Sequence, residues 1–547
     1  MEPLSADEQL EKALRHHTAG ELAEAEAIYR ALVERDAGDA DALHLLGALI
    51  AQKGDGLAAL GFIDRAIAID PSCADFHNNK GLILANLGRT DDAVAAHAEA
   101  VRLRPDFAEA NNNLGNALLK KGAIAEAVSA YRRTIALRPN YANAHSNLGV
   151  ALQKQQKLDD AIAAYRMAVQ CQPDHGEAHS NLGVALRETG RMDEAIEEYR
   201  AAIRCDDQCV EAYVNLGAAL HETGHGEEAI AILTRAIELD PQHEPAHYNL
   251  SLSLLKKGQY ERGWREYEHR AFALWARRKF APPIWDGSEL SGKTILLPGE
   301  GGFGDAIQFA RYVPMVKKRG GRIIVQVQSD LVRLLKRVEG ADEVLPKDHP
   351  LPTIDVYCPL LSLPRIFGTT PRNIPAAPYL TADASVSQRW ASRLSGHKGL
   401  RVGLAWAGST AHRNDKNRSI PLSQFAPLRA VTEIRLFSLQ KDRAGESSPT
   451  IDMIDWTAQL SDFADTAGLI ANLDRVISVD TAVAHLAGAM GKKVWLLLPY
   501  VADWRWLEDR SDSPWYPTLQ LFRQEKPGDW DPVIAKVAQA LKAEQII

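Results

Sequence analysis

Several features that would indicate a special environment are scarce or absent in this chain of 547 residues. Its five cysteines, at positions 73, 171, 205, 209 and 358, show neither metal-site nor disulfide-framework spacing. No stretch of about 18 uncharged apolar residues is present, so no membrane span is predicted. The polar start Met1-Glu2-Pro3 lacks the apolar core of a secretion signal. We therefore expect a cytoplasmic protein with buried, reduced thiols.

The chain also lacks an excess of basic charge. It has 63 Lys and Arg against 71 Asp and Glu, a formal net charge of -8 at pH 7. A protein devoted to nucleic acid would usually be basic, so nucleic acid is not an expected partner. The apolar share of 46% and the charged share of 24% are those of a globular protein. At this length the chain should divide into about two to four domains.

What the sequence does contain is a residue pair that returns every 34 positions. The pair occurs as Leu46-Gly47, Lys80-Gly81, Leu114-Gly115, Leu148-Gly149, Leu182-Gly183, Leu216-Gly217 and Leu250-Ser251. A period of 34 residues is that of the tetratricopeptide helix–turn–helix. Each unit continues with a small residue, a bulky residue and commonly a proline, as in Ala127, Tyr131 and Pro139. We predict an α superhelix of seven or eight units over residues 1–277.

One column of the repeat is not explained by packing. Asparagine precedes the Leu-Gly position in six consecutive units, at Asn79, Asn113, Asn147, Asn181, Asn215 and Asn249. The position lies inside a helix, where asparagine is a mediocre helix former and no cap is required. Carboxamides both donate and accept, so a row of them can bond an extended peptide backbone. The column resembles the asparagine ladder of O-GlcNAc transferases, which implies a polypeptide partner; the alternative is that each amide bonds neighbouring backbone.

A zinc-protease signature in the arm is interpreted as coincidence. His221-Glu222-Thr223-Gly224-His225 matches H-E-x-x-H, which requires both histidines on one uninterrupted helix. Gly224 occupies the turn between the two helices of its repeat, so the helix should end between the histidines.

Beyond residue 277 the period is lost and α/β patterning begins. The predicted strands are Thr294–Pro298, Arg322–Gln328, Arg401–Trp406, Ile434–Leu439, Arg475–Val479 and Lys493–Leu498. Their alternation with helical stretches predicts two doubly wound, Rossmann-like domains, residues 278–385 and 386–547, with a hinge at 385–400. Ligands are expected at the carboxyl ends of the strands, in a cleft between the domains.

The first candidate site segment is the loop Gly299–Asp305, which satisfies G-x-G-x-x-G. A nicotinamide or flavin enzyme would need an acidic residue at the end of the second strand, where Gln328 stands instead. We interpret Asp305 as a candidate general base, with helix capping as the alternative. Gly302, Gly304 and Gln308 belong to the same segment.

Two further segments follow predicted strands. Trp406, Gly408 and Ser409 allow close backbone approach, and the basic Arg413, Lys416 and Arg418 can neutralise a phosphate leaving group. The third segment places Asp480, Thr481, Ala482 and His485 at the start of a helix, where backbone amides can bind phosphate or sugar hydroxyls. An ordinary solvated loop and a structural histidine are the respective alternatives.

Together the three segments resemble the family 9, heptosyltransferase-like glycosyltransferases of GT-B fold, over roughly residues 290–540. The resemblance rests on Gly304-Asp305, the Lys416 loop and the run from Val479 to Leu486. It implies that Asp305 is the general base, that Lys416 assists the donor phosphates, and that Asp480, Thr481 and His485 bind the donor. The chain departs from the family at Ala482, where glycine is usual.

The combination of repeats and transferase resembles the tetratricopeptide-bearing flagellin O-glycosyltransferases of bacteria. This implies transfer of a nonulosonic sugar from a CMP-activated donor to flagellin serine or threonine, with the arm binding the acceptor. No Asp-x-Asp motif is placed where it could hold a metal ion for the transfer, so we expect a transfer that does not depend on a metal. The alternatives are a lipopolysaccharide or polysaccharide glycosyltransferase and a non-catalytic scaffold.

Overall fold

The computed structural model describes residues 5–412, 414–441, 448 and 451–544. The chain forms two compact units, Met1–Ala219 and Leu220–Ile547. The predicted domain limit at residue 277 therefore falls within the second unit. Across the part of the chain that the structure describes, every helix is too short or too polar to span a bilayer.

The first unit consists of antiparallel helix pairs joined by short turns. Its helices are α1 Ala6–Thr18, α2 Leu22–Arg35, α3 Ala40–Gln52, α4 Gly56–Ile69, α5 Ala74–Asn86, α6 Thr90–Leu103, α7 Ala108–Lys121, α8 Ile124–Leu137, α9 Ala142–Lys154, α10 Leu158–Cys171, α11 Gly176–Glu188, α12 Met192–Cys205 and α13 Val210–Glu222, the last of which crosses into the second unit. Helices α1 and α2 form one further helix pair before the first Leu-Gly unit, with Ala25 and Tyr29 buried in it.

Glycines of the repeated pair make room for a side chain from the second helix of the same repeat, in several units an aromatic ring. A Cβ atom on Gly149 would lie 2.5 Å from the Tyr165 ring, and one on Gly115 would lie 2.5 Å from Tyr131. The small residue of the pattern, such as Ala161, is fully buried beside this contact. The periodicity thus encodes the close packing of each helix on its partner.

The second unit begins with further repeat helices and continues into the α/β region. Its helices are α14 Gly226–Leu239, α15 Glu244–Lys256, α16 Tyr260–Glu266, α17 Ala271–Lys279, α18 Phe303–Phe309, α19 Val313–Lys317, α20 Ser329–Leu335, α21 Leu363–Ile366, α22 Ala384–Leu394, α23 Asp415–Arg418, α24 Phe463–Ala471, α25 Ala482–Ala489 and α26 Asp531–Glu544. Helices α15 and α16, with the turn Tyr267–His269 that follows them, form the closing repeat.

Two parallel sheets carry the α/β region, as predicted. The strands are β1 Thr294–Pro298, β2 Arg322–Val327, β3 Glu343–Pro346, β4 Val356–Tyr357, β5 Leu400–Ala405, β6 Ile434–Ser438, β7 Met453–Ile454, β8 Arg475–Val479, β9 Val494–Leu498 and β10 Leu519–Arg523. The first sheet has the order β3-β2-β1-β4 and the second β10-β9-β8-β5-β6-β7. Strands β1, β8 and β9 are almost entirely buried, which explains their continuous apolar runs.

The structure adds detail to the predictions for the hinge, the strands and the cysteines. Residues 384–394 form helix α22, which packs on α24 through Val386 and Trp390 against Gly468, so most of the segment 385–400 is helical and its role as a hinge stays a prediction. Strands β3, β4, β7 and β10 were not predicted, because each is too short or too mixed in polarity to stand out in the sequence. Of the cysteines only Cys358 is buried, and Cys205 is exposed.

Candidate functional site

The glycine-rich loop after β1 positions Asp305 in the first turn of α18. The backbone N–H of Gly302 donates to Asp305 Oδ2 at 2.7 Å, so Asp305 does cap its helix. Gly301 has φ +64°, and a Cβ there would lie 2.2 Å from that carboxylate. The side chain of Asp305 remains 24% exposed, which leaves it accessible to a substrate.

Arg505, from the segment after β9, joins this loop to the second sheet. Its Nη2 pairs with Asp305 Oδ1, and its Nη1 donates to Asp503 Oδ1 at 2.9 Å. Burial disfavours the guanidinium charge, but Asp503 and Asp305 raise the pKa of Arg505 above its usual value. Residues following strands of both sheets therefore meet at one ionic centre. Arg505 lies beyond the predicted strand Lys493–Leu498, and no sequence signal indicated that it would contact Asp305.

Gln308 lies in the interior beside Asp305, and its predicted contact with a donor stays a prediction. Its side chain is fully buried, and its Oε1 accepts a hydrogen bond from Arg505 Nε at 2.6 Å. Gln308 positions Arg505, which in turn holds Asp305. Gln308 lies one helical turn from Asp305, as the sequence indicated, and the contact it makes is with Arg505.

The second and third predicted segments lie at the ends of adjacent strands. Ala405 of β5 pairs with Ser478 of β8, so the loops that follow both strands leave the same edge of the sheet. Arg418 Nη1 donates to the backbone oxygen of Asp480 at 2.8 Å, which connects the two loops directly. A Cβ on Gly408 would lie 2.4 Å from the Arg418 guanidinium, so a larger residue here would displace that side chain.

The other predicted residues of the second segment differ in their exposure and contacts. Lys416 and Ser409 are exposed, and Lys416 has no ion pair or hydrogen bond with any residue that the structure describes. Trp406 is buried, and its backbone N–H donates to Gln440 Oε1 at 3.1 Å. Arg413 lies outside the described residues. The binding roles of these residues stay predictions.

The helix α25 begins at the predicted third segment. Thr481 is its N-cap, and the Thr481 hydroxyl lies 3.0 Å from Ser478 Oγ. The backbone N–H groups of Ala482 and Val483 have no partner among the described residues. Burial, and next the charge of Asp503, raise the pKa of Asp480 to about 6. A phosphate could accept hydrogen bonds from these amides.

His485 is a buried neutral group at this junction. Burial and the nearby Arg505 lower its pKa to about 3. Its Nδ1 lies 3.0 Å from Tyr516 Oη, and its ring stacks on Trp506 at 5.3 Å. A Cβ on Gly304 would lie 2.8 Å from His485 Cδ2 and 3.6 Å from Ala482 Cα, so Gly304 permits α18 to approach α25. His485 thus packs the two elements together, whereas its predicted contact with a donor stays a prediction.

A buried ion pair that the sequence did not signal anchors the glycine-rich loop. Arg270, which follows α16, donates to both carboxylate oxygens of Glu300, at 2.8 and 2.6 Å. Burial raises the pKa of Glu300 in spite of this pair. Arg270 Nη2 also donates to Ser362 Oγ at 2.8 Å. Because Arg270 lies just beyond the last periodic unit, no repeat column could have indicated it.

The asparagine column is neither buried nor fully exposed. All six side chains are half-buried. Asn113 Nδ2 donates to Asn78 Oδ1 at 3.1 Å, and Asn147 Nδ2 donates to Asn112 Oδ1 at 3.2 Å, each bonding the preceding repeat. The side chains of Asn181 and Asn215 have no hydrogen bond to any described residue. With Asn79, whose Nδ2 lies 2.6 Å from His44 Nε2, three of the six amides therefore bond a helix of the preceding repeat, and peptide binding by the column stays a prediction.

The zinc-protease signature is confirmed as coincidence. Helix α13 ends at Glu222, Gly224 has φ +88°, and His225 is the N-cap of α14. His221 Nδ1 instead lies 3.0 Å from Ser253 Oγ on α15.

Comparison with known proteins identifies the repeats. Family models described as tetratricopeptide repeat and TPR repeat match residues 10–74, 146–208 and 182–244, and residues 81–122 and 115–156. The helical part of the chain is therefore built from tetratricopeptide repeats.

One curated relative and two solved structures illustrate the likeness. Protein FlbA of Caulobacter vibrioides is 26% identical over 322 residues, which are 53% of this chain and 53% of that protein. The chain thus matches about half the length of this relative. YrrB, a TPR protein with an unusual peptide-binding site, is 24% identical over 34% of this chain and 95% of its own, with a TM-score of 0.30. The APC/C hetero-tetramer Cut9-Hcn1 is 19% identical over 46% and 50%, with a TM-score of 0.40.

Proposed function

We propose that this protein is a metal-independent, nucleotide-sugar-dependent glycosyltransferase of GT-B fold whose acceptor is a protein. The observation that carries the proposal is the contact of Asp305 with Arg505. It brings a candidate base from one parallel sheet against the other sheet, whose strand ends offer phosphate-binding groups. Such a meeting of strand ends is where open α/β sheets bind ligands.

The base would act on an acceptor hydroxyl. Each oxygen of Asp305 accepts one hydrogen bond within the protein, and each keeps a further lone pair. The acceptor oxygen forms a bond to the anomeric carbon while the bond from that carbon to the phosphate oxygen breaks. The hydroxyl proton passes to Asp305, and the electron pair leaves with the nucleotide.

The leaving phosphate would be stabilised by positive groups of the second sheet. The unpartnered amides of Ala482 and Val483 supply the positive end of α25, and Arg418 lies beside them through its bond to Asp480. The exposed Lys416 is free to reach a bound phosphate. His485 is neutral at pH 7, so its part is to pack α25 rather than to carry charge.

The repeats would bind the acceptor polypeptide and raise its concentration near the transferase. The half-buried amides of the asparagine column suit contacts with an extended backbone. The resemblance to bacterial flagellin O-glycosyltransferases makes flagellin serine or threonine the first acceptor to test. A CMP-activated nonulosonic acid is correspondingly the first donor.

Intact-mass spectrometry of candidate acceptors tests this proposal. Flagellin from cells that carry the protein should be heavier, by whole multiples of one sugar residue, than flagellin from cells that lack it. Identical masses for flagellin and every other candidate protein, together with a lost modification on a lipid-linked saccharide, would favour a polysaccharide acceptor instead.

A further inference from the structure

The closing repeat contains a cluster of metal-ligating side chains outside the candidate transferase site. His247 lies on α15, Glu266 is the last residue of α16, and His269 follows three residues later. Among the described residues, the ligand atoms of these three all lie within 4.8 Å of one another. All three side chains are half-buried, so an ion could enter from solvent.

The hydrogen bonds of His247 create a need for positive charge at this point. Its Nε2 lies 3.1 Å from the carbonyl oxygen of Pro241, which can only accept, so Nε2 carries a hydrogen. Its Nδ1 lies 2.5 Å from Glu266 Oε2. In neutral imidazole that nitrogen presents a lone pair to a carboxylate, which is unfavourable unless a proton lies between them or a metal ion separates the two atoms and binds both.

The neighbouring His269 brings a third possible metal ligand to this pair. The two imidazole rings are stacked, with centroids 4.0 Å apart and an angle of 12° between the planes. A metal ion held by His247 and Glu266 would have the second imidazole within reach. Two imidazole nitrogens and one carboxylate oxygen form a donor set typical of Zn²⁺. The Pro241 carbonyl would supply the outer hydrogen bond that orients a ligating histidine.

The same chain provides a matched pair without the third ligand. His179 Nδ1 lies 2.6 Å from Glu198 Oε2, and His179 Nε2 lies 3.0 Å from the Pro173 oxygen. These residues stand two repeats before His247 and Glu266, and Ala201 occupies the position of His269. A histidine–glutamate pair is thus compatible with the repeat alone, and only the closing repeat adds a further ligand.

We propose that His247, Glu266 and His269 bind one Zn²⁺ or similar divalent transition-metal ion, with water at the remaining position. Such an ion would cross-link α15 to the turn after α16. That turn leads directly into Arg270, which holds Glu300 in the glycine-rich loop. The site would therefore be structural, fixing the junction between the last repeat and the loop of Asp305.

Zinc binding to the tag-free, full-length chain tests the proposal. The protein is stripped with EDTA, and Zn²⁺ is then titrated in competition with a chromogenic chelator. Wild type should bind one Zn²⁺ per chain, and His269→Ala should bind it at least about tenfold more weakly. His179→Ala should bind as wild type does. Co²⁺ in place of Zn²⁺ should give visible absorption that is lost in His269→Ala.

Glu266→Gln provides a second variant that retains the side-chain shape, with folding checked by circular dichroism. It should weaken Zn²⁺ binding while preserving the spectrum of the wild type. The proposal is overturned if wild type binds no Zn²⁺ in competition with the chelator. It is equally overturned if both closing-repeat variants bind as wild type does, or if His179→Ala loses as much affinity as they do.

Discussion

The repeat helices and the sheet-bearing region obtain their stability in different ways. In the repeats, the glycine of the column packs on a side chain of its own unit, so the determinants lie sixteen residues apart, as in Gly149 and Tyr165. In the sheet-bearing region, the decisive contacts join distant segments, such as Asp305 with Arg505, 200 residues apart. Local determinants repeat in the sequence and long-range ones do not. The following variants, in order of decreasing expected effect, test this difference.

Arg270→Ala should destabilise the second unit most. It leaves the buried carboxylates of Glu300 and Glu268 without their principal cation, which typically costs about 3–5 kcal/mol. Scanning calorimetry should show a lower unfolding temperature for the transition of the second unit. The unfolding temperature of the repeats of the first unit should be unchanged. Arg319→Ala, which removes an exposed pair with Glu289, should have an effect below about 1 kcal/mol.

Acid should weaken the second unit through His485. Its folded pKa of about 3 lies below the usual value of 6.5, so the unfolded state takes up the proton first as the pH falls. The contribution of His485 to the free energy of unfolding is fully present above about pH 6.5. It decreases below that pH, by about 2 kcal/mol at pH 5. Urea unfolding of the wild type and of His485→Gln at pH 7 and pH 5 measures this. An equal loss in both proteins would show that other groups are responsible.

Gly149→Ala should destabilise the first unit by a smaller amount. Its Cβ would overlap the buried ring of Tyr165, and overpacking of this kind costs about 1–3 kcal/mol, partly offset by the better helix propensity of alanine. Gly61→Ala is the control, because a Cβ at this exposed helical position meets nothing within 4 Å. That variant should gain about 0.5–1 kcal/mol in urea unfolding. Equal effects at both positions would contradict the packing explanation.

The asparagine column should affect binding and leave stability almost unchanged. Replacing Asn147, Asn181 and Asn215 by alanine removes partly exposed amides, each worth about 0.5–1.5 kcal/mol in a hydrogen bond to a peptide. We expect at least about tenfold weaker binding of the acceptor by calorimetry, with an unfolding midpoint close to the wild type. Unchanged affinity would exclude the column from acceptor binding.

The same contrast explains how much could be predicted from the sequence. Sequence signals are local for three kinds of feature, which could therefore be predicted. These are the repeats, the strands made of buried apolar runs such as Val494–Leu498, and the loops that carry Asp305 and Thr481. Arg505, Gln308 and Arg270 act through partners elsewhere in the chain, and a single sequence does not show such pairings. Strand β4, only two residues long, owes its place to β1 rather than to its own composition.

The helix at 384–394 is another feature whose contacts could not be predicted from the sequence. The pairs Ala384-Ser385 and Ser395-Gly396 suggested a hinge, whereas the structure has a helix that Asp383 caps and that Trp390 anchors on α24. The closing-repeat cluster was likewise overlooked, since His247 and Glu266 are separated by most of a helical hairpin.

The central claim is that Asp305 removes the acceptor proton during sugar transfer, and single-turnover transfer measures this most directly. Purified wild type, Asp305→Asn and the exposed control Asp330→Asn are mixed with flagellin and a CMP-activated nonulosonic acid, and product is followed by mass. We expect Asp305→Asn to transfer at least about 100-fold more slowly than wild type, and Asp330→Asn to match wild type. Transfer by Asp305→Asn at the wild-type rate would contradict the account.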